Sequence, residues 1–141
     1  MTSDVRTVKH SNSNGKMAED AIGAVLSFAR CRFERQARAG RTIYGTDWFV
    51  DFLVTNFAEF SRGLIIESKW QDRHGTIDEK FPYLLSNIQC NELPAIIILS
   101  GGGCRRGGID WLRARCSPDR LVSVFSLEEF MSWLRRNVTI T

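Results

Sequence analysis

Glu67, Lys69 and Gln71 alternate along the run Glu67-Ser68-Lys69-Trp70-Gln71, directly after the apolar residues Leu64-Ile65-Ile66. In a strand, residues two apart face the same side. The three polar side chains therefore project together from a segment whose first half suits burial. Polar groups on such a face are costly unless they are partnered or used. An acid beside an ammonium is in the first place an ion pair, which good geometry can keep for structure alone. Asp51 adds a second acid. It interrupts the apolar run Trp48-Phe49-Val50-Asp51-Phe52-Leu53-Val54, where both β-propensity and burial disfavour aspartate. If the two strands pair as a meander, Asp51 lies beside Glu67. Two neighbouring carboxylates repel unless a cation sits between them. A hard divalent ion such as Mg2+ takes one or two carboxylates together with phosphate oxygens and water. Lys69, one pleat further on, is then placed to orient an attacking water or to offset charge developing on phosphorus. Asp47 shares its parity with Asp51 and competes for the role. Asp51 is preferred because apolar residues enclose it, whereas Gly45-Thr46-Asp47 reads as a strand entrance.

These side chains need elements to hold them. Residues 1–15 are polar and read as a flexible tail, leaving 16–141 as one domain. From Lys16 to Ala29 a helical stripe runs through Met17, Ala21, Val25 and Phe28, with Glu19 at the edge of the apolar face. Two strands follow, Arg32–Ala39 and Tyr44–Val54, with Gly40-Arg41 as a turn; Leu64–Gln71 is the third. Thr76 and Glu79 match a capping box before the apolar residues Tyr83, Leu84, Leu85 and Ile88, with Pro82 either kinking that helix or standing where its regular part begins. Ala95–Leu99 reads as a buried strand, Ile109–Arg115 as a short helix and Leu121–Phe125 as a last strand. Ser126 and Glu129 form a second capping box, opening a helix to about Arg136. The order α-β-β-β-α-β-α-β-α is an α/β domain with a mixed β-sheet flanked by helices.

Asp51…Glu67-Ser68-Lys69 resembles the D…(D/E)-x-K signature of the PD-(D/E)XK nuclease superfamily. Glu19 matches a helix-borne glutamate found in many members, and Gln71 extends the motif to E-x-K-x-Q. The elements from about residue 17 to residue 100 are similar to the superfamily's restriction-endonuclease-like αβββαβ core, with a C-terminal α-β-α extension. The proline often found before the motif aspartate is Val50 here. The resemblance implies a Mg2+-dependent DNA endonuclease, with Mn2+ substituting. Asp51 and Glu67 would hold the metal, the Ser68 carbonyl would assist, and Glu19 would hold a metal-bound water or a second ion. Lys69 would stand near the attacking water, and Gln71 near the phosphate or Lys69. Glu19 also reads as an acid favoured near a helix N-terminus, and Gln71 as a surface amide.

The chain has 141 residues and a net charge of +3, with 19 basic and 16 acidic residues. That balance is far from a dedicated nucleic-acid binder's. The charge is uneven. Five arginines and one acid lie between Arg30 and Arg41, eight acids and four basic residues between Thr46 and Ser100, and seven basic residues and four acids from Gly101 onward. Basic flanks around an acidic centre suit metal held beside a gripped anion. Arg35, Arg38 and Arg41, Lys80, and Arg105 with Arg106 after Gly101-Gly102-Gly103 are the candidate DNA-backbone contacts; each reads equally as a solvated charge. The glycine loop lacks the GK[ST] ending of a P-loop. Trp111 and Trp133 fall at core spacing, and His74 is a lone turn imidazole. Cys31, Cys90, Cys104 and Cys116 form no CxxC pair, which favours buried thiols in a reducing compartment over a zinc site.

The expected partners are DNA, duplex or branched, and a second copy of the chain, because one active site per chain cuts one strand. A cytoplasmic protein of bacterial or phage type, without a secretory leader or membrane span, is the expectation. A non-catalytic DNA-binding or assembly module of the same fold, and an RNA nuclease, are the rival readings.

Overall fold

Five consecutive apolar residues, Ala95 to Leu99, are too few for a helix and apolar on both faces, as a central parallel strand requires. They form β4 (Ala95–Ser100), with Ala95 to Ile98 buried. The computed structural model describes residues 13–71 and 78–141. Around β4 stand α1 (Ser13–Phe28), β1 (Phe33–Arg41), β2 (Asp47–Val54), β3 (Leu64–Trp70), α2 (Phe81–Gln89), α3 (Arg106–Arg113), β5 (Leu121–Phe125) and α4 (Leu127–Asn137). The sheet order is β1-β2-β3-β4-β5. The first three strands form an antiparallel meander, and β3-β4 and β4-β5 are parallel. The fold is α/β with a mixed sheet, in the order expected.

Two apolar layers sandwich the sheet. Ile65, Ile97, Leu121 and Val124 meet Phe81, Leu84, Leu85 and Ile88 of α2 and Leu112 of α3. On the other face, Phe52, Ile66, Ile96 and Ile98 meet Ile22 and Leu26 of α1 and Phe130 and Leu134 of α4. Trp133 joins Phe57, Phe60, Phe125 and Phe130 in an aromatic cluster, a packing role as its spacing indicated. Ser126 and Glu129 form the expected capping box, worth about 1 kcal/mol.

Several boundaries differ from the sequence reading. Ser13–Gly15, expected in the tail, are helical. Gly40 and Arg41 belong to β1, and the turn is 42–46. Gly40 has φ 142°, and a Cβ there would stand 2.0 Å from Asn91 Oδ1. Asn91 uses that close approach to accept from Arg41 N and donate to Arg41 O. Of the two readings of Pro82, the second holds: regular helix begins at Phe81, with Pro82 in its first turn and the 3-10 turn Asp78–Lys80 before it. Proline needs no N–H partner there. Thr76 and His74 lie outside the described residues, as do residues 1–12 of the expected tail.

Candidate active site

The ladder between β2 and β3 is short. Val54 pairs with Leu64, Leu53 with Ile65 and Phe52 with Ile66, and there it stops. Beyond it the strands part, and side chains replace the ladder. Asp51 N–H donates to Glu67 Oε1 at 3.0 Å. Ser68 N–H donates to Asp51 Oδ2 at 2.8 Å. Each carboxylate thus satisfies a backbone donor that the parting of the strands leaves open. In a strand, a residue's N–H and C=O point to the same side. Ser68 C=O therefore also faces the gap between the two acids.

Asp51 reaches this gap because its strand changes face. Trp48 and Val50 pack under α2 and α3, whereas Phe52 and Val54 pack under α1 and α4. Opposite Asp51 in the register, Gln36 of β1 has φ 51°, a left-handed conformation uncommon for a side-chain-bearing residue. Gln36 Nε2 also donates to Asp51 Oδ1 at 3.3 Å. Both Asp51 oxygens are therefore oriented, one by Gln36 and one by Ser68. Sequence reasoning missed Gln36, since a polar residue in a loosely alternating strand carries no signal of its own.

Glu67 is only 4% exposed. Burial pushes its carboxyl up to about 8, Lys69 pulls it down and the Asp51 charge raises it further. Lys69 and Glu67 line one cleft of about 320 Å³, with Thr42, Trp48, Phe49, Lys80 and Tyr83.

A family model for a PD-(D/E)XK nuclease superfamily domain matches residues 10–138. The chain belongs to the PD-(D/E)XK nuclease superfamily. No curated protein and no solved structure matches the chain. Of the residues expected from the D…(D/E)-x-K resemblance, Asp51 and Glu67 meet across the parted strand pair, and Lys69 lines the same cleft as Glu67.

A divalent metal, typical of PD-(D/E)XK nucleases, fits the oxygen donors present. Asp51, Glu67 and the Ser68 carbonyl offer such an ion hard oxygen donors. Among the described residues no three His, Cys, Asp or Glu side chains converge. Glu19, expected to hold a metal-bound water or second ion, is paired with Arg35 at 2.9 Å. Arg35 also bonds Asp20 at 2.9 Å and lies over the Phe52 ring. Arg35, within reach on β1, neutralises these helix acids. Asp47 is likewise engaged, by Arg38 at 2.9 Å.

The expected backbone contacts divide in the same way. Arg35 and Arg38 hold acids, Arg41 donates to Gly45 O, Arg105 stands 4.0 Å from Asp78, and Arg106 stands 3.7 Å from Asp110. Lys80 faces the cleft beside Lys69, and among the described residues neither lysine is in an ion pair. Gln71 lies past the end of β3, where its N–H donates to Ser100 O and its carbonyl accepts from Gly103 N. The glycine loop closes over that strand end. Gly101 has φ 92°, and a Cβ there would sit 2.5 Å from Gln71 O. All four cysteines are free; Cys31 is buried, while Cys90, expected inside, is exposed. Among the described residues no helix is long and apolar enough to cross a membrane.

Proposed function

We propose that this chain is a divalent-metal-dependent endonuclease that hydrolyses phosphodiester bonds in DNA. The observation that carries the reading is the reciprocal bracing of Asp51 and Glu67 at the parted ends of β2 and β3, with Lys69 in the adjoining cleft. Asp51, Glu67 and the Ser68 carbonyl would hold Mg2+, or Mn2+ in its place. When bound, the ion supplies Lewis-acid polarisation of the phosphate and makes water a better nucleophile.

The chain's own residues do the rest. Glu67 yields its proton more easily as positive charge approaches. Gln36 and Ser68 keep Asp51 turned into the gap, so no reorganisation is needed at the moment of reaction. Lys69 places an ammonium where charge develops on the phosphate. Lys80 draws the strand's backbone into the cleft. Gln71 is left near the strand end as an auxiliary polar group. One such centre cuts one strand, so cleaving both strands of a duplex takes two copies of the chain.

The test is supercoiled plasmid incubated with Mg2+, Mn2+ or EDTA, run beside linear, single-stranded and branched DNA and an RNA control. Metal-dependent nicking that is lost in Asp51→Ala and Lys69→Ala, while gel-shift binding persists, is the expected result. Binding without cleavage of any substrate overturns the reading in favour of a non-catalytic module, and cleavage of RNA alone overturns its DNA half.

A further inference from the structure

Water-facing aromatic rings gather beside the catalytic cleft. Among the described residues, Ile43, Tyr44, Phe49 and Tyr83 are four of the seven exposed large apolar side chains. Tyr44 is 76% exposed, Phe49 57% and Tyr83 43%. Tyr44 stacks on Tyr83 with ring centres 5.7 Å apart and planes 24° apart. Phe49 and Tyr83 line the same cleft as Glu67, Lys69 and Lys80.

This arrangement is held in place. Asn87 is buried, and its Oδ1 accepts from Ile43 N at 2.9 Å. Asn91, one turn further along, grips Arg41 at both its N–H and its carbonyl. The β1–β2 turn and the end of β1 are therefore fastened by Asn87 of α2 and by Asn91, just past the end of that helix. Asparagine is disfavoured inside helices, and Asn87, inside α2, holds a neighbouring backbone. The Tyr44 ring is thus presented by a braced turn.

We infer that the cleft takes an unpaired nucleotide of the substrate DNA strand, its base stacked on the Tyr44–Tyr83 platform and its phosphate drawn to Lys69 and Lys80. The inference rests on the nuclease reading and narrows its substrate to DNA with a single-stranded stretch at the cut, such as a flap, overhang or branch. A base inside a duplex has both faces covered by its neighbours, so an aromatic platform has nothing to stack on. An unpaired base leaves a face open, and every base has one, so stacking of this kind is tolerant of sequence. The two ammonium groups complement a phosphate, while the rings complement a base. A cleft of about 320 Å³ is at the lower end of ligand-holding pockets, roughly 300–1,000 Å³, the scale of one nucleotide rather than of a duplex.

Fluorescence anisotropy in EDTA tests this without any cleavage. The probes are a fluorescein-labelled single-stranded oligodeoxynucleotide and the blunt duplex of the same sequence. The expected result is that combining Tyr44→Ala with Tyr83→Ala weakens single-strand binding about tenfold and duplex binding less than about twofold. The Tyr44→Phe, Tyr83→Phe pair, which keeps both rings, binds as the parent does and guards against a folding artefact. Lys80→Gln should lower the salt dependence of single-strand binding by about one counterion. Equal losses on both probes, or none, overturn the inference. A parent that nicks plasmid while its tyrosine variants bind both probes unchanged overturns this inference and leaves the nuclease reading standing. A selective single-strand loss in a chain that cleaves nothing does the reverse.

Discussion

Asp51 and Glu67 each accept a hydrogen bond from backbone that the parting of β2 and β3 would otherwise leave without a partner: Asp51 N–H to Glu67 Oε1, and Ser68 N–H to Asp51 Oδ2. The pair is structural and chemical at once. The bonds that hold the carboxylates also aim them at the shared gap.

Substitutions at Asp51 should separate these two roles. Asp51→Asn keeps an acceptor for Ser68 N–H and removes the charge. It is expected to abolish metal-dependent cleavage with little loss of stability. Asp51→Ala also leaves that N–H unpaired, at a cost of about 1–3 kcal/mol. Plasmid nicking and urea unfolding of both variants check the difference.

Glu67 should make the metal-free protein less stable as pH rises. Its carboxyl is raised from 4.5 to about 8. Between these values the folded chain keeps a proton that the unfolded chain releases, so rising pH favours unfolding. The stabilising contribution is complete below 4.5 and lost as pH passes through about 8. Urea unfolding in EDTA at the two ends of this window should show the decline, and Glu67→Gln should flatten it. Adding Mg2+ at the alkaline end should restabilise the parent and not Glu67→Gln, since a ligand that binds only the folded state stabilises it. A parent whose stability is level across the window would contradict the buried-proton account.

Lys69 is half-buried at the cleft, so shortening it should spare the fold. Lys69→Ala is expected to slow cleavage by on the order of 10²–10³-fold. Binding measured without metal should change far less. Single-turnover rates with anisotropy on the same variant give the comparison.

Gln36 combines a left-handed backbone with a hydrogen bond to Asp51. Gln36→Gly relieves the backbone and deletes the bond, so stability should hold or rise by up to about 1 kcal/mol while cleavage falls. Gln36→Ala keeps the backbone strain and also loses the bond, so both quantities should fall. Melting curves with nicking rates distinguish this from a purely structural role, in which activity would follow stability in both variants.

The glycine loop offers a contrast within three residues. Gly101→Ala forces a Cβ to 2.5 Å from Gln71 O at φ 92°. It should destabilise by roughly 1–3 kcal/mol or more. Gly102 has φ 72° but open space around it, so Gly102→Ala should cost only about 1–2 kcal/mol. Comparable thermal melts for the two would remove the claim that the loop closes over the end of β3.

By itself the sequence determined the order of elements, the identity of the two acids and the adjoining lysine. Those rest on local patterns: Glu67, Lys69 and Gln71 at every second position after an apolar run, apolar enclosure of Asp51, and a capping box at Ser126. Such patterns act over a few residues and are legible without coordinates. The tertiary structure alone decided where β2 leaves β3, that Gln36 of β1 reaches Asp51, and that Glu19 meets Arg35. It also decided that Tyr83 of α2 stacks on Tyr44 of a distant turn and lines a cleft with Phe49, Lys69 and Lys80. Each of these depends on which distant side chain comes within reach, and a charge can choose among partners only once the chain is folded.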